Sequence, residues 1–321
     1  MIDVCIIGSG LSGSFLADKI SKKLDIEIYD KARGVGGRAS NRRFKNYSFD
    51  HGTHEFTAET KKFKSVLLSL KNKGVLKKWE GTHLDFGFSK IKNSDKYIGV
   101  KGNNSISKYL LKNKKVILNS PVEKINFDNK IWKIHTKNQT ILSKSIILTC
   151  PFNQTVKLAK NYLPKKVLNL SVKMLPVITV MLVSQEKKVP ISSILVNDKV
   201  IEKITNENSK NRYNTKLNLW TIQTSSFFAK KIIDKYKNRK PYYTHLIINE
   251  FRKILGQKSR FIFSDIHGWR YARSYNRTYM KSYWDKKRRI GFCSDWFIGP
   301  NVEHAWLSAM DLSEKIKKTL L

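Results

Sequence analysis

The chain has 321 residues, of which 40% are hydrophobic and 27% are charged, a composition typical of a globular protein with two lobes. No apolar run reaches the roughly 18 residues that a membrane-spanning helix needs. The 62 Lys and Arg residues outnumber the 25 Asp and Glu residues, which gives a formal net charge of +37.

The basic residues are spread along the whole chain, and no single basic tail stands out. This distribution favours a solvated surface, or a basic funnel for an anionic small molecule, over nucleic acid as a partner. Cys5, Cys150 and Cys293 lie far apart beside apolar runs, which favours reduced thiols. Ile2 already belongs to the first strand pattern rather than to a basic leader, so we expect a soluble, cytoplasmic protein.

The first 30 residues predict a β-strand, a helix and a second strand. "VCIIG" (4–8) is a short apolar run typical of a strand buried on both faces, and "IEIYD" (26–30) is a second one. Between them, apolar residues recur at helical spacing. This order predicts the βαβ opening of a doubly wound α/β domain.

A G-x-G-x-x-G motif, Gly8, Gly10 and Gly13, joins the first strand to the helix. The first glycine permits a tight turn, the second lets a pyrophosphate approach the backbone, and the third lets the helix pack close to the strand. Leu11 and Ser12 open the helix, whose free N–H groups favour phosphate. Asp30 ends the second strand, where an acid accepts hydrogen bonds from a ribose. The motif therefore predicts a dinucleotide site.

A second glycine-rich turn, "DKARGVGGRASNRR", follows directly and narrows the choice of dinucleotide. A flavin dinucleotide binds in an extended form, and a second glycine-rich turn with arginines beside the pyrophosphate suits that geometry; the alternative is a basic surface turn. The candidate contacts in this turn are Lys31, Arg33, Gly36, Gly37 and Arg38.

The rest of the chain predicts two interleaved domains. Residues 60–79, 104–112 and 244–255 predict helices, and the strands after residue 115 predict an antiparallel insertion that returns to the parallel sheet. Val122, in that insertion, is a further candidate cofactor contact. We expect a Rossmann-type domain from 1–58, 97–151 and 262–321, and a discontinuous mixed-sheet substrate domain from 59–96 and 152–261.

Several motifs recur in the order and spacing of a known family. "YDKARGVGGRAS", "FDHGTHEFTAE", "YIGVKGNNSISKYL", "SIILTCP", "HGWRYARS" and "GFCSDWFIGPNVEHAWLS" resemble the renalase-like flavoproteins, a branch of the monoamine-oxidase superfamily. The resemblance implies non-covalent FAD. It also implies flavin contacts along "FDHG" and at the C-terminal strand-loop-helix unit: His51, Gly52, Thr53, Asp295, Val302 and Glu303.

The chain departs from this family at three positions. Ser294 replaces a glycine before the C-terminal acid, and His54 and Glu55 replace a glutamine and an aromatic residue. If His54 and Glu55 face the substrate, their charges tune which donor is accepted; the alternative is that Glu55 points outward to a lysine. Trp220 and Tyr271 are candidate aromatic groups above the flavin. His51 and His54 lack the partners that a metal site needs.

Taken with the resemblance, the sequence predicts an FAD-dependent oxidoreductase. The implied reaction is hydride transfer from a small reduced donor, such as a misreduced NAD(P)H isomer, with dioxygen as the re-oxidant. A dihydropyridine leaves as a stable pyridinium, so this reaction needs no catalytic base. The alternatives are a flavin amine oxidase and a flavin-containing regulatory or polyanion-binding protein.

Overall fold

A computed structural model describes residues 1–91, 95–170, 172–185, 189–256, 260–276, 278 and 280–320. The strands are β1 (Ile2–Ile7), β2 (Ile26–Tyr29), β3 (Arg42–Phe44), β4 (Tyr47–Phe49), β5 (Leu76–Lys78), β6 (His83–Leu84), β7 (Tyr97–Gly99), β8 (Lys115–Ile117), β9 (Val122–Asp128), β10 (Ile131–Thr136), β11 (Thr140–Leu148), β12 (Met174–Ser184), β13 (Ser193–Leu195), β14 (Ile201–Asn206), β15 (Asn218–Thr224), β16 (Phe261–Ser274), β17 (Tyr283–Asp285) and β18 (Ile290–Phe292). The helices are α1 (Leu11–Ile20), α2 (Lys61–Asn72), α3 (Ser105–Leu110), α4 (Phe152–Ala159), α5 (Lys165–Leu168), α6 (Ser226–Ile232), α7 (Lys240–Leu255) and α8 (Val302–Leu320). None of the helices in the described ranges is long and apolar enough to cross a membrane.

The first sheet is the predicted doubly wound sheet. Its strands lie in the order β17-β18-β11-β1-β2-β8, and β9 and β10 extend it from β11. The neighbours β1–β2, β1–β11, β2–β8 and β11–β18 are parallel, whereas β9, β10 and β11 pair antiparallel. The antiparallel insertion and the mixed α/β fold expected from the sequence are both confirmed.

Helices cover both faces of this sheet. On one face, α1 and α8 pack with parts of α2 and α3 on β1 and β2, and on the other face α4 and α5 pack beneath β11 and β18. Phe152, Ala159, Leu163, Val167 and Val172 therefore contribute to the core of the first sheet, although the sequence suggested a substrate domain from 152 onward.

The second sheet has the order β16-β12-β15-β14-β13-β6 and is antiparallel except for the β13–β6 pair. Its longest strand, β16, pairs with β12 from Phe261↔Ser184 to Ser274↔Met174. The chain therefore returns to the first sheet only after Ser274, later than the boundary at 262 expected from the sequence. Helices α6 and α7 pack on one face of this sheet, and the opposite face meets the first lobe.

The turn that opens α1 depends on a backbone contact that only glycine allows. A Cβ atom at Gly13 would lie 2.1 Å from the carbonyl oxygen of Gly8, so α1 rests directly on the preceding turn. Gly8 itself has a φ of +110°, a conformation that L side chains rarely adopt.

We expect Gly13→Ala to lower the free energy of unfolding by about 1–3 kcal/mol, because the methyl group forces α1 away from the turn. Gly34→Ala is the matched control, since a Cβ there meets nothing within 4 Å. Urea denaturation followed by circular dichroism measures both. Equal stabilities of the two variants would contradict this reading of the turn.

Candidate functional site

One cavity of about 1890 Å³ runs from the carboxyl ends of the parallel strands to the face of β16. In doubly wound sheets, ligands bind at this edge, where the connections diverge to opposite faces. The following predicted site residues line it: Gly8, Gly10, Leu11, Ser12, Asp30, Lys31, Arg33, Gly36, Gly37, Arg38, His51, Thr53, Val122, Tyr271, Asp295 and Val302. Segments far apart in the chain thus meet in one elongated space.

The glycine turns leave the cavity open at the start of α1. A Cβ at Gly10 would have only the Gly37 Cα, at 3.8 Å, within 4 Å, so the space above the backbone is free for a ligand. Gly10 also pairs with Gly36, which has a φ of +115°. The two glycine-rich turns therefore lie side by side, and their backbones form a wall that a pyrophosphate can approach.

Asp30 lies beside the first turn, and its carboxylate is partly occupied. One oxygen accepts hydrogen bonds from the Ser9 backbone N–H at 2.7 Å and the Ser9 hydroxyl at 2.6 Å, and the other accepts from the Ala32 N–H at 2.8 Å. An ionised carboxylate has about four acceptor positions, so capacity remains for a ribose hydroxyl. The contacts to Ser9 hold the acid at the cavity wall.

Arg38 connects the second glycine turn to the C-terminal unit. Its guanidinium donates to both carboxylate oxygens of Asp295, at 2.5 and 2.8 Å, and to the Ala272 carbonyl at 2.8 Å. Such a bidentate pair fixes both partners. Ser294 fits this loop without glycine, because its φ of −170° is ordinary extended backbone and its hydroxyl donates to Asp295 at 2.9 Å.

The segment 51–53 is held in place by backbone hydrogen bonds from several directions. The Thr53 N–H donates to the Arg38 carbonyl at 2.9 Å, and the Trp269 indole donates to the His51 carbonyl at 2.9 Å. Gln223 and Asn103 side chains donate to the carbonyls of residues 52 and 53, each at 2.7 Å. Gly52 is required here, since a Cβ would lie 2.0 Å from the Arg38 carbonyl oxygen.

Three aromatic side chains form one wall of the cavity. His51, His267 and Trp269 contact one another with ring centroids 4.5–5.0 Å apart. Burial is the main reason that the pKa of His51 falls to about 3 and that of His267 to about 4, with the Arg42 cation contributing to both. Both imidazoles are therefore neutral at neutral pH and are weak bases.

Arg42 and Asp265 also line the cavity and were not predicted from the sequence. The Arg42 Nε donates to the Asp265 carboxylate at 2.8 Å. His267 and Trp269 lie on the same strand, β16, inside the "HGWRYARS" motif. Period-two alternation along this motif was the signal that could have assigned Asp265, His267, Trp269 and Tyr271 to one face of a strand.

Apart from two glycines, four predicted site residues do not line the cavity. Trp220 is 2% exposed and packs against Phe251 in the core beneath α7, so its proposed place above the flavin is wrong. The Glu303 carboxylate turns to α2, where it accepts hydrogen bonds from the N–H groups of Glu59 and Thr60 at 2.6 and 3.1 Å. It therefore holds the two residues just before that helix instead of facing a ligand.

His54 and Glu55 are the other two. His54 is buried and Glu55 is mostly buried behind the segment 51–53, and Glu55 is paired with Lys203 at 2.5 Å and Lys96 at 3.4 Å. Glu55 thus meets lysines, as the alternative interpretation held, but inside the molecule. Gly13 and Gly52 do not line the cavity either; they support its walls from behind.

The three cysteines form no disulfide and are poor nucleophiles. Burial raises the pKa of Cys150 to about 12 and raises the pKa of Cys5 and Cys293 further still. Within the described ranges, no three His, Cys, Asp or Glu side chains converge as metal ligands.

Comparison with known proteins agrees with this geometry. A sequence profile of the NAD(P)-binding Rossmann-like domain matches residues 6–68. A protein from Exiguobacterium sp. 255-15, provisionally identified as a protoporphyrinogen oxidase, has a similar structure, with a TM-score of 0.74, 11% identity and 99% of both chains covered.

Two further structures share the fold. Putrescine oxidase, in its wild-type form bound to putrescine, has a TM-score of 0.70 and 12% identity over 99% of both chains. An oxidoreductase from Methanosarcina mazei has the same TM-score and identity, and covers 98% of this chain and 100% of its own. At these identities the likeness concerns the fold: a Rossmann-type nucleotide-binding lobe joined to a mixed-sheet lobe across one long cavity.

The buried histidines predict a fall in stability on mild acidification. Burial lowers the pKa of His51 and His54 to about 3, whereas an unfolded histidine has a pKa of about 6.5. Between these values the unfolded state binds more protons, so the free energy of unfolding falls as the pH drops below about 6.5, by up to about 1.4 kcal/mol per pH unit for each histidine.

We expect His54→Gln to flatten the slope between pH 6.5 and 4.5, because glutamine does not titrate. Urea denaturation at five pH values measures it, and His245→Gln, at an exposed site, is the control. A slope unchanged by His54→Gln would show that this imidazole does not remain neutral in the folded protein.

Proposed function

We propose that the protein is an FAD-dependent oxidoreductase that takes a hydride from a small reduced donor and passes the electrons to dioxygen. One observation carries the proposal. A single cavity joins a glycine-rich dinucleotide turn at Gly8–Gly13 to a second strand-loop-helix unit at Asp295 and Val302, and ends against β16 of the other lobe. An extended dinucleotide with a reactive ring at one end fits such a space.

The residues present fit FAD along this length. The open backbone at Gly10 and the start of α1 suit the pyrophosphate, and Asp30 suits the adenosine ribose. The bidentate contact between Arg38 and Asp295 holds the second glycine turn beside the C-terminal unit. The first turn of α8, at Val302, brings a helix N-terminus to the cavity, and a helix N-terminus favours the negative charge of a reduced flavin.

FAD, when bound, supplies a hydride acceptor that dioxygen can re-oxidise. The protein side of the reaction then consists of positioning and of excluding water. His51 and His267, the imidazoles at the cavity wall, are too weakly basic to remove a proton from a donor efficiently. This supports a donor that loses only a hydride, and misreduced NAD(P)H isomers, which leave as pyridinium ions, are such donors.

The charge of the cavity also supports an anionic donor. Arg43, Lys101 and Lys108 line it and, in the described part of the chain, form no ion pair. Burial and the neighbouring Arg43 and Lys101 cations lower the pKa of Lys108, so the three charges repel one another. Such a group attracts phosphate and repels ammonium.

Amine oxidation is the second candidate, because the fold is shared with putrescine oxidase. Tyr271 lines the cavity, but Trp220, the other aromatic side chain that would be needed for an amine cage, lies in the core. Together with the unpaired cations, this favours the hydride donor over a cationic amine.

The purified protein is expected to be yellow and to release FAD into the supernatant on acid precipitation. Gly10→Val should abolish FAD retention, because the branched side chain fills the space that the glycine leaves open. Gly87→Val, in an exposed loop outside the cavity, should retain FAD. A wild-type protein that stays colourless after incubation with FAD would disprove the proposed function, and flavin retained on the pellet would disprove only its non-covalent form.

The donor is tested by anaerobic mixing in a stopped-flow spectrophotometer. We expect 2- and 6-dihydro isomers of NAD(P) to bleach the flavin rapidly and 4-dihydro NADH to do so slowly, because only a correctly placed hydride lies over the flavin. If primary amines such as putrescine bleach the flavin faster than every dihydropyridine, the amine oxidase assignment replaces this one.

A further inference from the structure

A group of charged side chains lies behind the cavity-lining segment 51–53, between the two lobes. We call it the interlobe charge cluster; its members are Asp50, Glu55, Lys96, Lys203, Glu207, Lys210 and Arg212. None of these side chains is more than 15% exposed, and those of Asp50 and Lys210 are fully buried. Removing so many charges from water costs free energy, so these residues are not explained as part of a solvated surface.

One half of the cluster is centred on Asp50. Its carboxylate accepts hydrogen bonds from Lys210 Nζ at 2.6 Å and from an Arg212 guanidinium nitrogen at 2.8 Å. Lys210 also lies 3.0 Å from Glu207, which accepts a hydrogen bond from the Thr221 hydroxyl at 2.8 Å. Burial alone would raise the pKa of Asp50, but the Lys210 and Arg212 cations hold that pKa far below its usual range.

The other half is centred on Glu55, which pairs with Lys203 and Lys96. Burial opposes its ionisation, yet the two lysines hold the pKa of Glu55 far below its usual range. One Glu55 carboxylate oxygen, Oε2, is buried without a hydrogen-bond partner. Lys203 comes from β14 of the second sheet, and Lys96 directly precedes β7.

His54 lies between the two halves and adds no charge. Neither of its ring nitrogens has a hydrogen-bond partner, and burial, with the nearby Lys203 and Lys210 cations, lowers its pKa to about 3. His83, near Lys96 and Lys203, also has a lowered pKa because of burial and the Lys96 cation. Lys77 approaches Arg212 from outside and supplies a further positive charge.

The cluster therefore carries an excess of positive charge inside the protein. Four cations face three carboxylates, so the net charge is +1 when all seven groups are ionised. Burial raises the pKa of Glu207, and any protonation of this group increases the positive excess. Away from water, such a charge acts over a longer distance than a surface charge does.

We propose that the interlobe charge cluster is a fixed source of positive potential that raises the reduction potential of the flavin. This inference rests on the proposed function, in which FAD occupies the cavity. Asp50 and Glu55 bracket the segment whose His51 and Thr53 line that cavity, so the cluster lies directly behind the wall. A reduced flavin gains negative charge, and a positive potential nearby stabilises it relative to the oxidised form.

A purely structural role makes a different prediction. Removing Glu55 leaves Lys203 without its carboxylate, and removing Lys203 leaves Glu55 with only the longer contact to Lys96, so both changes loosen the same contact. If the pair only held the segment in place, the two variants would shift the midpoint potential of the flavin in the same direction. If the pair acts through its charges, the two variants shift the midpoint potential in opposite directions.

The experiment compares Lys203→Met, Glu55→Gln and the double variant as holoproteins at pH 7, with the flavin midpoint potential measured spectroscopically against reference dyes. At the wild-type midpoint, we expect Lys203→Met to lower the ratio of reduced to oxidised flavin on the order of tenfold, which is about 30 mV for a two-electron couple. Glu55→Gln should raise the ratio by a similar factor. The double variant should lie near the wild type.

Lys253→Met, at an exposed pair on α7, is the control and should leave the potential unchanged. Lys96→Met removes the longer contact to Glu55 and should also lower the midpoint potential. It is measured in place of Lys203→Met if the Lys203→Met protein does not retain FAD. Shifts of the same sign for the lysine and glutamate variants, or no shift in either, overturn the inference while leaving the flavin assignment intact. A wild-type protein without flavin overturns the proposed function itself.

Discussion

The buried Asp50 carboxylate is the contact on which the geometry of the cavity depends. It accepts hydrogen bonds from four groups in three segments: the Asn41 side chain, the Asn103 N–H, and the side chains of Lys210 and Arg212. The first two belong to the nucleotide-binding lobe, and the last two follow β14 of the second sheet. Removing one partner of a buried ion pair costs about 3–5 kcal/mol, so this residue joins the lobes firmly immediately before His51.

With the lobes joined in this way, the cavity wall cannot move independently of either sheet. The segment 51–53 receives hydrogen bonds from Asn103, Gln223 and Trp269, which come from both lobes. Arg38, on the nucleotide-binding side, reaches Asp295 and Ala272 near the C-terminus. A long ligand held at both ends would therefore meet a wall that is already in position, which lowers the entropic cost of binding it.

Local patterns allowed the first half of the site to be predicted, and long-range contacts explain what was missed. Gly8, Gly10 and Asp30 come directly after strands, so the βαβ pattern alone is enough to predict their positions in the site. Arg42 and Asp265 meet across 223 residues, a pairing that no local pattern encodes. Trp220 was placed wrongly because β15 is buried on both faces, so alternation along it does not reveal which face meets the ligand.

The interior of the protein shows that the lysine-rich composition is not only a property of its surface. Lys210 is fully buried, with its ammonium 5.3 Å from the Trp79 ring centroid as well as bonded to Asp50. Glu55 places a carboxylate where Lys96 and Lys203 converge, and without it two largely buried ammonium groups would face each other uncompensated. The glutamate therefore offsets the lysines that the chain has placed inside, while the positive excess that remains lies beside the cavity.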